Sequence, residues 1–166
     1  MGGLTFRTDL LAEFFQTRQG INGKLAELKR QNPGRKLTAK HKPTPIMLLV
    51  DNGRTREYLS NLLSENNYSP LLMTDPEELL RSLKGKEFAI ILIDCRAVSS
   101  FGTRMLSKIK VCCRLCRIII FCDKEHLCDK RHRELIKEIL TIGVYACILA
   151  PYKEWEVLSM VSYCHS

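Results

Sequence analysis

Two aspartates at strand-like ends are the residues of this chain whose type and spacing could do chemistry. Asp51 closes the apolar run IMLLVD (46–51), and Asp94 closes the run FAIILID (88–94). Continuous apolar runs of this length are typical of strands that are buried on both faces of a parallel sheet. Ligands of such sheets bind beyond the carboxyl ends of the strands, where the two carboxylates would converge. Asp51 and Asp94 are therefore candidate ligands for Mg²⁺, which prefers carboxylate oxygens and keeps several of its waters.

A second interpretation of the two aspartates is structural. Aspartate is common in turns and at the first position of helices, where its side chain accepts a backbone N–H. Each carboxylate could therefore cap the segment that follows its strand. The residues alone leave both interpretations open.

The elements that would position these residues alternate between strand and helix patterns from Pro45 onward. The other strand-like runs are SPLLMT (69–74), RIIIFC (117–122) and VYACILA (144–150). Helix patterns cover 54–66, a stretch that begins at Asp75-Pro76, 101–110 after a loop, 129–142, and a last helix. Their inward faces are predicted to carry Tyr58, Leu59, Leu62, Leu63, Leu135, Ile136, Ile139, Leu140, Trp155, Leu158 and Val161. Five strands, each followed by a helix, predict an α/β fold with a doubly wound five-stranded parallel sheet.

The order and spacing of residues in this part of the chain resemble the receiver domain of two-component response regulators. The segments LLVDN, IILIDCR, IIIFC and IGVYACILAPY carry the pattern, with Asp51, Asp94, Gly102, Gly143 and Pro151 at its marked positions. The resemblance implies a flavodoxin-like (CheY-like) fold and a role in signal transduction through a protein partner. It also implies that Asp94 occupies the phosphoacceptor position and Asp51 the first position of the acidic pair that binds Mg²⁺.

Four positions depart from the receiver pattern. Asn52 replaces the second acid, and Cys122 stands where a serine or threonine contacts the phosphoryl group; a thiol is only a weak hydrogen-bond donor. Ala150 stands where the receiver lysine belongs and cannot supply its charge, and Cys147 stands at the aromatic switch position. These departures imply a degenerate receiver, or pseudo-receiver, that forms no stable aspartyl phosphate on Asp94.

The basic charge of the chain is concentrated near its N-terminus. Residues 1–44 hold nine of the 26 Lys and Arg residues but only three of the 18 acids. Residues 4–19 have the pattern of an amphipathic helix with Phe6, Leu10 and Phe14 on one face, and 29–42 are a basic linker. We therefore expect an N-terminal helical arm over 1–44 and a receiver-like domain over 45–166. The apolar helix face could pack on that domain or on a second copy in a homodimer, and the linker could contact nucleic acid or be a solvated tether.

The chain has eight cysteines, and their role depends on the cellular compartment. No apolar run is long enough to cross a membrane and no signal peptide is evident, so the sequence predicts a cytoplasmic protein without a membrane partner. In that compartment cysteines are more often small buried hydrophobes than a disulfide framework. Cys113 and Cys116 could have a redox role. A weaker zinc alternative would draw on Cys113, Cys116, Cys122, His126, Cys128 and His132.

The predicted partner surface lies near the C-terminus. Segment 123–138 is dense in both charges and includes Arg131 and Arg133, and Tyr145, Tyr152 and Trp155 are expected to gather beside it. Aromatic and arginine residues are enriched at the centres of protein interfaces. The alternative is a solvated helix face with Trp155 in the core.

Three functions follow from these residues. The favoured one is a receiver-like signalling module that is not an enzyme and acts by protein–protein interaction without phosphorylation. The second is an atypical response regulator that still accepts a phosphoryl group on Asp94, with Mg²⁺ as its cofactor. The third is a small nucleic-acid-binding regulator that uses the basic arm.

Overall fold

A computed structural model describes residues 43–123 and 129–164 of the chain. The predicted arm over 1–44 lies almost entirely outside the described residues, and so do its helix and the linker 29–42. His126 and Cys128 of the zinc alternative also lie outside them. The homodimer, the nucleic-acid contact and the domain boundary therefore stay predictions.

Five parallel strands form one sheet in the order β2-β1-β3-β4-β5. Their bounds are β1 (Thr44–Leu49), β2 (Tyr68–Leu72), β3 (Ile90–Asp94), β4 (Arg117–Cys122) and β5 (Ala146–Leu149). The chain winds outward from β1 to β2 and then crosses back to β3 on the other side of β1. This reversal is the switch point of a doubly wound sheet, and the strand order confirms the predicted flavodoxin-like (CheY-like) fold.

Six helices connect or follow the strands in the described residues. Their bounds are α1 (Gly53–Glu65), α2 (Pro76–Leu83), α3 (Cys95–Phe101), α4 (Arg104–Cys112), α5 (Lys130–Ile142) and α6 (Glu154–Cys164). The predicted loop before a helix over 101–110 is wrong, because α3 begins directly after Asp94. Gly102 ends α3 at a φ of 81°, a left-handed conformation that glycine adopts without strain, and α4 then starts as a separate helix. None of the described helices is long and apolar enough to cross a membrane.

The hydrophobic core lies on both faces of the three inner strands. All five residues of β3 are buried, as are the last four of β1 and the last five of β4, which explains their unbroken apolar sequence. The predicted inward residues that the structure buries are Leu59, Leu62, Leu63, Ile136, Ile139 and Val161. The core is thus a sheet covered by helix stripes, with its carboxyl edge held rigidly by β1, β3 and β4.

Five residues that were predicted to point inward are not fully buried, and Leu135 and Leu158 among them are half-buried. Tyr58 and Leu140 lie at the margins of their helix stripes, and Trp155 is 43% exposed near the start of α6. The Tyr58 hydroxyl donates a hydrogen bond to the carbonyl oxygen of Tyr152 at 3.0 Å, so this ring reaches across to the chain that follows β5. The interpretation of Trp155 as a core residue is therefore wrong.

Candidate functional site

A shallow cleft opens at the carboxyl ends of β1, β3 and β4, where the strand order reverses. Its empty volume is about 190 Å³. The residues that line it are Asn52, Thr55, Asp94, Cys95, Arg96, Phe121, Asp123 and Tyr152. Open parallel sheets bind their ligands at this place, so the structure puts Asp94 and Asn52 where the sequence predicted a site.

The carboxylate of Asp94 is held by three backbone N–H groups. Its Oδ2 accepts from the N–H of Asp51 at 2.8 Å and of Asn52 at 3.1 Å, and its Oδ1 accepts from the N–H of Ala97 at 2.8 Å. Asp94 is only 5% exposed. The carboxylate therefore fastens the segment after β1 to the first turn of α3, and the capping interpretation is confirmed for Asp94.

Asp51 contacts Asp94 only through its backbone N–H, and the residue that caps α1 is its neighbour Asn52. The Oδ1 of Asn52 accepts from the N–H of Thr55 at 3.2 Å, whereas Asp51 is exposed and does not line the cleft. The capping interpretation is therefore wrong for Asp51. The capping role falls to Asn52, the position at which receivers carry their second acid.

The Mg²⁺ ion that the receiver resemblance implies does not fit this arrangement. Such an ion needs carboxylate oxygens that face it, but backbone N–H groups take three of the four acceptor sites of Asp94, and Asp51 does not line the cleft. Across residues 43–123 and 129–164 there is no group of three or more His, Cys, Asp and Glu side chains that could hold a metal.

The other three positions that differ from the receiver pattern lie close together, at the end of β4, on β5 and directly after β5. The N–H of Ala150 donates to the carbonyl oxygen of Cys122 at 2.9 Å, and the Sγ atoms of Cys122 and Cys147 are 3.5 Å apart. Burial raises the pKa of the Cys147 thiol to about 12. These side chains carry sulfur atoms and a methyl group, so they offer neither the hydroxyl nor the cation that a phosphoryl group needs.

Cys122 is joined to Cys95 by a disulfide, with a Cα–Cα distance of 5.2 Å. Burial of both side chains is confirmed, but the expectation that the cysteines act only as small hydrophobes is wrong for this pair. Strand pairing explains the bond, because Asp94 lies opposite Phe121 and the residue that follows each of them is a cysteine. Among the free cysteines, Cys113, Cys116 and Cys164 are buried and Cys112 is exposed.

The sequence did not identify Arg96 and Asp123 as site residues, and it placed Tyr152 on the interaction surface and not in the cleft. Asp123 accepts a hydrogen bond from the Tyr152 hydroxyl at 3.0 Å and lies 3.6 Å from the Arg96 guanidinium. Burial, and then the nearby charge of Asp123, raise the pKa of Tyr152 above its usual value. A signal for Arg96 and Asp123 was present, since both follow strand ends, but Tyr152 reaches the cleft only because the chain turns after β5.

The predicted interaction residues do not all lie in one place. Tyr152 lines the cleft, whereas Tyr145 precedes β5, is 36% exposed and stacks its ring under the Arg117 guanidinium at 5.1 Å. Tyr145 and Tyr152 are thus at opposite ends of β5, and the expectation that they gather is wrong. Arg131 and Trp155 are exposed, and Arg133 is half-buried.

In the described residues, the proposed zinc ligands Cys113, Cys116, Cys122 and His132 do not form a group that could hold a metal. The Cys113 thiol donates to the carbonyl oxygen of Glu87 at 3.5 Å, and burial raises the pKa of Cys116 to about 11. The Nδ1 of His132 lies 2.9 Å from the carboxylate of Asp129 at the start of α5.

Raised thiol pKa values also oppose a redox role for Cys113 and Cys116, because the thiolate is the reactive form.

Comparison with solved structures finds the same fold in receiver domains. The chain is similar to full-length FixJ from B. japonicum, with a TM-score of 0.63 and 19% identity over 75% of this chain and 59% of that one. It is also similar to the receiver domain of a sensor histidine kinase from Pseudomonas aeruginosa, solved with a magnesium ion in its active-site cleft. That match has a TM-score of 0.61 and 22% identity, over 75% of this chain and 99% of the other.

A third similar structure is a CheY-like response regulator receiver domain protein from Methanospirillum hungatei. Its TM-score is 0.59 and its identity 16%, over 73% of this chain and 92% of that chain. No protein-family model and no curated protein sequence matches this chain. At these identities the comparisons show the fold, and the described domain has the fold of a CheY-like receiver.

Proposed function

We propose that this chain is a receiver-like signalling module that regulates a protein partner and does so without phosphorylation. The fold of the described residues supports the comparison with receivers, and Asp94 stands at the end of β3, where receivers carry their phosphoacceptor. The module then acts by binding rather than as an enzyme. Its conformation is set by something other than an aspartyl phosphate.

The observation that carries this proposal is the set of three backbone N–H groups on Asp94. A carboxylate oxygen must be free to attack a phosphoryl donor, but Oδ2 of Asp94 accepts two backbone hydrogen bonds and Oδ1 accepts one, so three of its four acceptor sites are taken. A phosphoryl group added there would also bring negative charge to a cleft that already contains Asp123. The surrounding Cys122 and Ala150 supply neither a hydroxyl nor an ammonium group to compensate it.

Arg96 is the one cation that lines this cleft in the described part of the chain. Its guanidinium is 3.6 Å from the carboxylate of Asp123, and its side chain is about half exposed. A cation that is paired with another carboxylate and open to solvent is a weak replacement for a lysine aimed at the phosphoryl oxygens. The cleft therefore favours a structural role of Asp94.

We expect no phosphorylation of Asp94 when the protein is incubated with acetyl phosphate and Mg²⁺. The measurement is a phosphate-affinity gel, together with the intact mass, which an aspartyl phosphate raises. The positive control is a receiver that keeps the acid pair, the hydroxyl and the lysine. Asp94→Asn serves as the matched variant, after circular dichroism has shown that it is folded.

A shifted band that is present in the wild-type protein and absent in Asp94→Asn would overturn the proposal. It would favour the alternative of an atypical phosphoaccepting regulator. The same experiment with beryllofluoride and Mg²⁺ tests the metal prediction separately, since binding of this phosphoryl mimic requires both the ion and a free carboxylate oxygen.

The charged surface of α5 is the region we expect the protein partner to contact. Reversing the charge of Arg131 and Arg133 to glutamate is expected to change the free energy of unfolding by less than about 0.5 kcal/mol, as surface substitutions usually do. Capture of the partner from native-cell extract is expected to fall roughly tenfold, about 1.4 kcal/mol of binding free energy.

A matched control reverses the same number of charges on another helix. Arg104 and Lys108 are exposed on α4, so Arg104→Glu with Lys108→Glu changes the net charge equally. If both double variants lose the partner equally, net charge and not the α5 surface governs binding. Unchanged capture by the α5 variant would mean that the partner contacts a different surface.

A further inference from the structure

Three cysteine sulfurs meet at the carboxyl edge of the sheet beside Asp94. Cys95 is the first residue of α3, Cys122 is the last of β4, and their sulfurs are bonded. The free thiol of Cys147 on β5 lies 3.5 Å from the sulfur of Cys122. Cys122 and Cys147 occupy two of the positions at which receivers carry their phosphorylation-dependent switch residues.

The sheet register selects one of the two sulfur pairs. Cys95 and Cys122 follow the paired residues Asp94 and Phe121, and their Cα atoms are 5.2 Å apart, within the 4.4–6.8 Å that disulfides span. Cys147 pairs instead with Ile120, two residues before Cys122. A bond between Cys122 and Cys147 would therefore need a diagonal connection, so the pair with Cys95 is the favoured one.

We propose that Cys95 and Cys122 are a reversible redox site, and that their disulfide controls the start of α3 next to Asp94. The sequence predicts a cytoplasmic protein, where disulfides are usually transient and redox-sensing. Cys95 borders the cleft but is only 2% exposed, so a small thiol or disulfide reaches its sulfur when the first turn of α3 opens. The inference does not depend on whether Asp94 accepts a phosphoryl group.

The oxidant in this reaction is a low-molecular-weight disulfide such as glutathione disulfide. The Cys95 thiolate attacks one sulfur of the reagent and releases one glutathione thiolate. The Cys122 thiolate then attacks the Cys95 sulfur of the mixed disulfide and releases the second. Two protein thiols are oxidised to one disulfide, one glutathione disulfide is reduced to two thiols, and these take up the two protons. Excess glutathione reverses both steps.

The consequence for the fold follows from the position of Cys95. The disulfide ties the first residue of α3 to β4, directly beside the Asp94 carboxylate that caps the same helix through Ala97. Reduction leaves that cap as the principal restraint on the first turn of α3. We expect the amide hydrogens of α3 to exchange roughly tenfold faster in the reduced protein, because opening of that turn then breaks one restraint instead of two.

Mass spectrometry can assign the pair without ambiguity, because trypsin places the three cysteines in separate peptides. Cys95 falls in 87–96, Cys122 in 118–124 and Cys147 in 138–153, and each peptide has one cysteine. The native protein is equilibrated in glutathione buffers of increasing oxidised-to-reduced ratio, quenched in acid, denatured, alkylated and digested. We expect the linked pair 87–96 with 118–124 to increase with the ratio and to disappear after treatment with dithiothreitol.

Variants and hydrogen exchange complete the test. Cys95→Ala is expected to remove the link and to leave Cys122 open to alkylation, while Cys112→Ala, which changes an exposed cysteine, is expected to keep it. Should Cys95→Ala fail to fold, the wild-type series alone decides the result. The proposal is overturned if 87–96 and 118–124 stay unlinked at every ratio, if Cys122 links to 138–153, if the folded protein resists reduction, or if α3 exchanges equally in both states.

Discussion

Asp94→Ala is expected to destabilise the domain by about 2–3 kcal/mol, because it removes the acceptor of three backbone hydrogen bonds at a buried position. The N–H of Ala97 loses its partner inside the first turn of α3, and the N–H groups of Asp51 and Asn52 must turn to solvent. The free energy of unfolding in urea measures the loss. Asp94→Asn keeps one acceptor oxygen and is expected to fall between alanine and the wild-type protein.

Asp51→Ala is the matched control for that measurement. Asp51 contributes its backbone N–H to Asp94, which alanine retains, and the residue is exposed. We expect a change of less than about 0.5 kcal/mol. Equal losses in Asp51→Ala and Asp94→Ala would contradict the role of Asp94 as the residue that fastens α3 to the segment after β1.

The sheet could be predicted from the sequence because its inner strands are buried on both faces. RIIIFC predicts β4 with its observed bounds, Arg117–Cys122, and the alternation of strands and helices predicts a parallel doubly wound sheet. The order of its strands is what the receiver resemblance implies. The missed helix α3 shows the limit of that approach. From the sequence, Asp94 fits both a chemical role and a helix cap, and residue type alone does not separate these two roles.

Part of the site could be predicted from the sequence. The part that could not be predicted depends on contacts between segments that are far apart in the chain. Asp94 and Asn52 belong to strand ends that sequence patterns identify, so their place in the cleft could be predicted. The bond between Cys95 and Cys122 joins residues 27 positions apart, and its partner choice depends on the register of β3 with β4. Tyr152 reaches Asp123 through a turn after β5 that hydrophobic periodicity does not encode.

Partial exposure of Trp155 and Tyr58 has a related cause. A hydrophobic stripe tells which face of a helix is buried, but not how far the neighbouring layer extends over the margins of that face. The Tyr58 hydroxyl donates a hydrogen bond to the Tyr152 carbonyl oxygen. An aromatic ring with a polar end is suited to the margin of a buried helix face. Sequence periodicity therefore predicts the centre of each stripe better than its borders.

Phe121→Ala is expected to cost about 3–5 kcal/mol of unfolding free energy, the largest effect of the substitutions considered. Phe121 is fully buried near the end of β4, paired with Asp94 on one side and Ile148 on the other. Its ring meets the Tyr152 ring edge to face, with centroids 5.1 Å apart. Alanine leaves a cavity between the core and the cleft.

Two milder variants separate the packing of Phe121 from the hydrogen bond of Tyr152. Phe121→Leu preserves most of the volume and is expected to cost less than about 1.5 kcal/mol. Tyr152→Phe keeps the ring contact but removes the hydroxyl that donates to Asp123, and is expected to cost about 1 kcal/mol. Urea unfolding of all three variants measures how much unfolding free energy each one loses and ranks the three losses. If Phe121→Ala costs no more than Tyr152→Phe, then the ring of Phe121 does not support the cleft, and the position of Tyr152 depends on its hydrogen bonds alone.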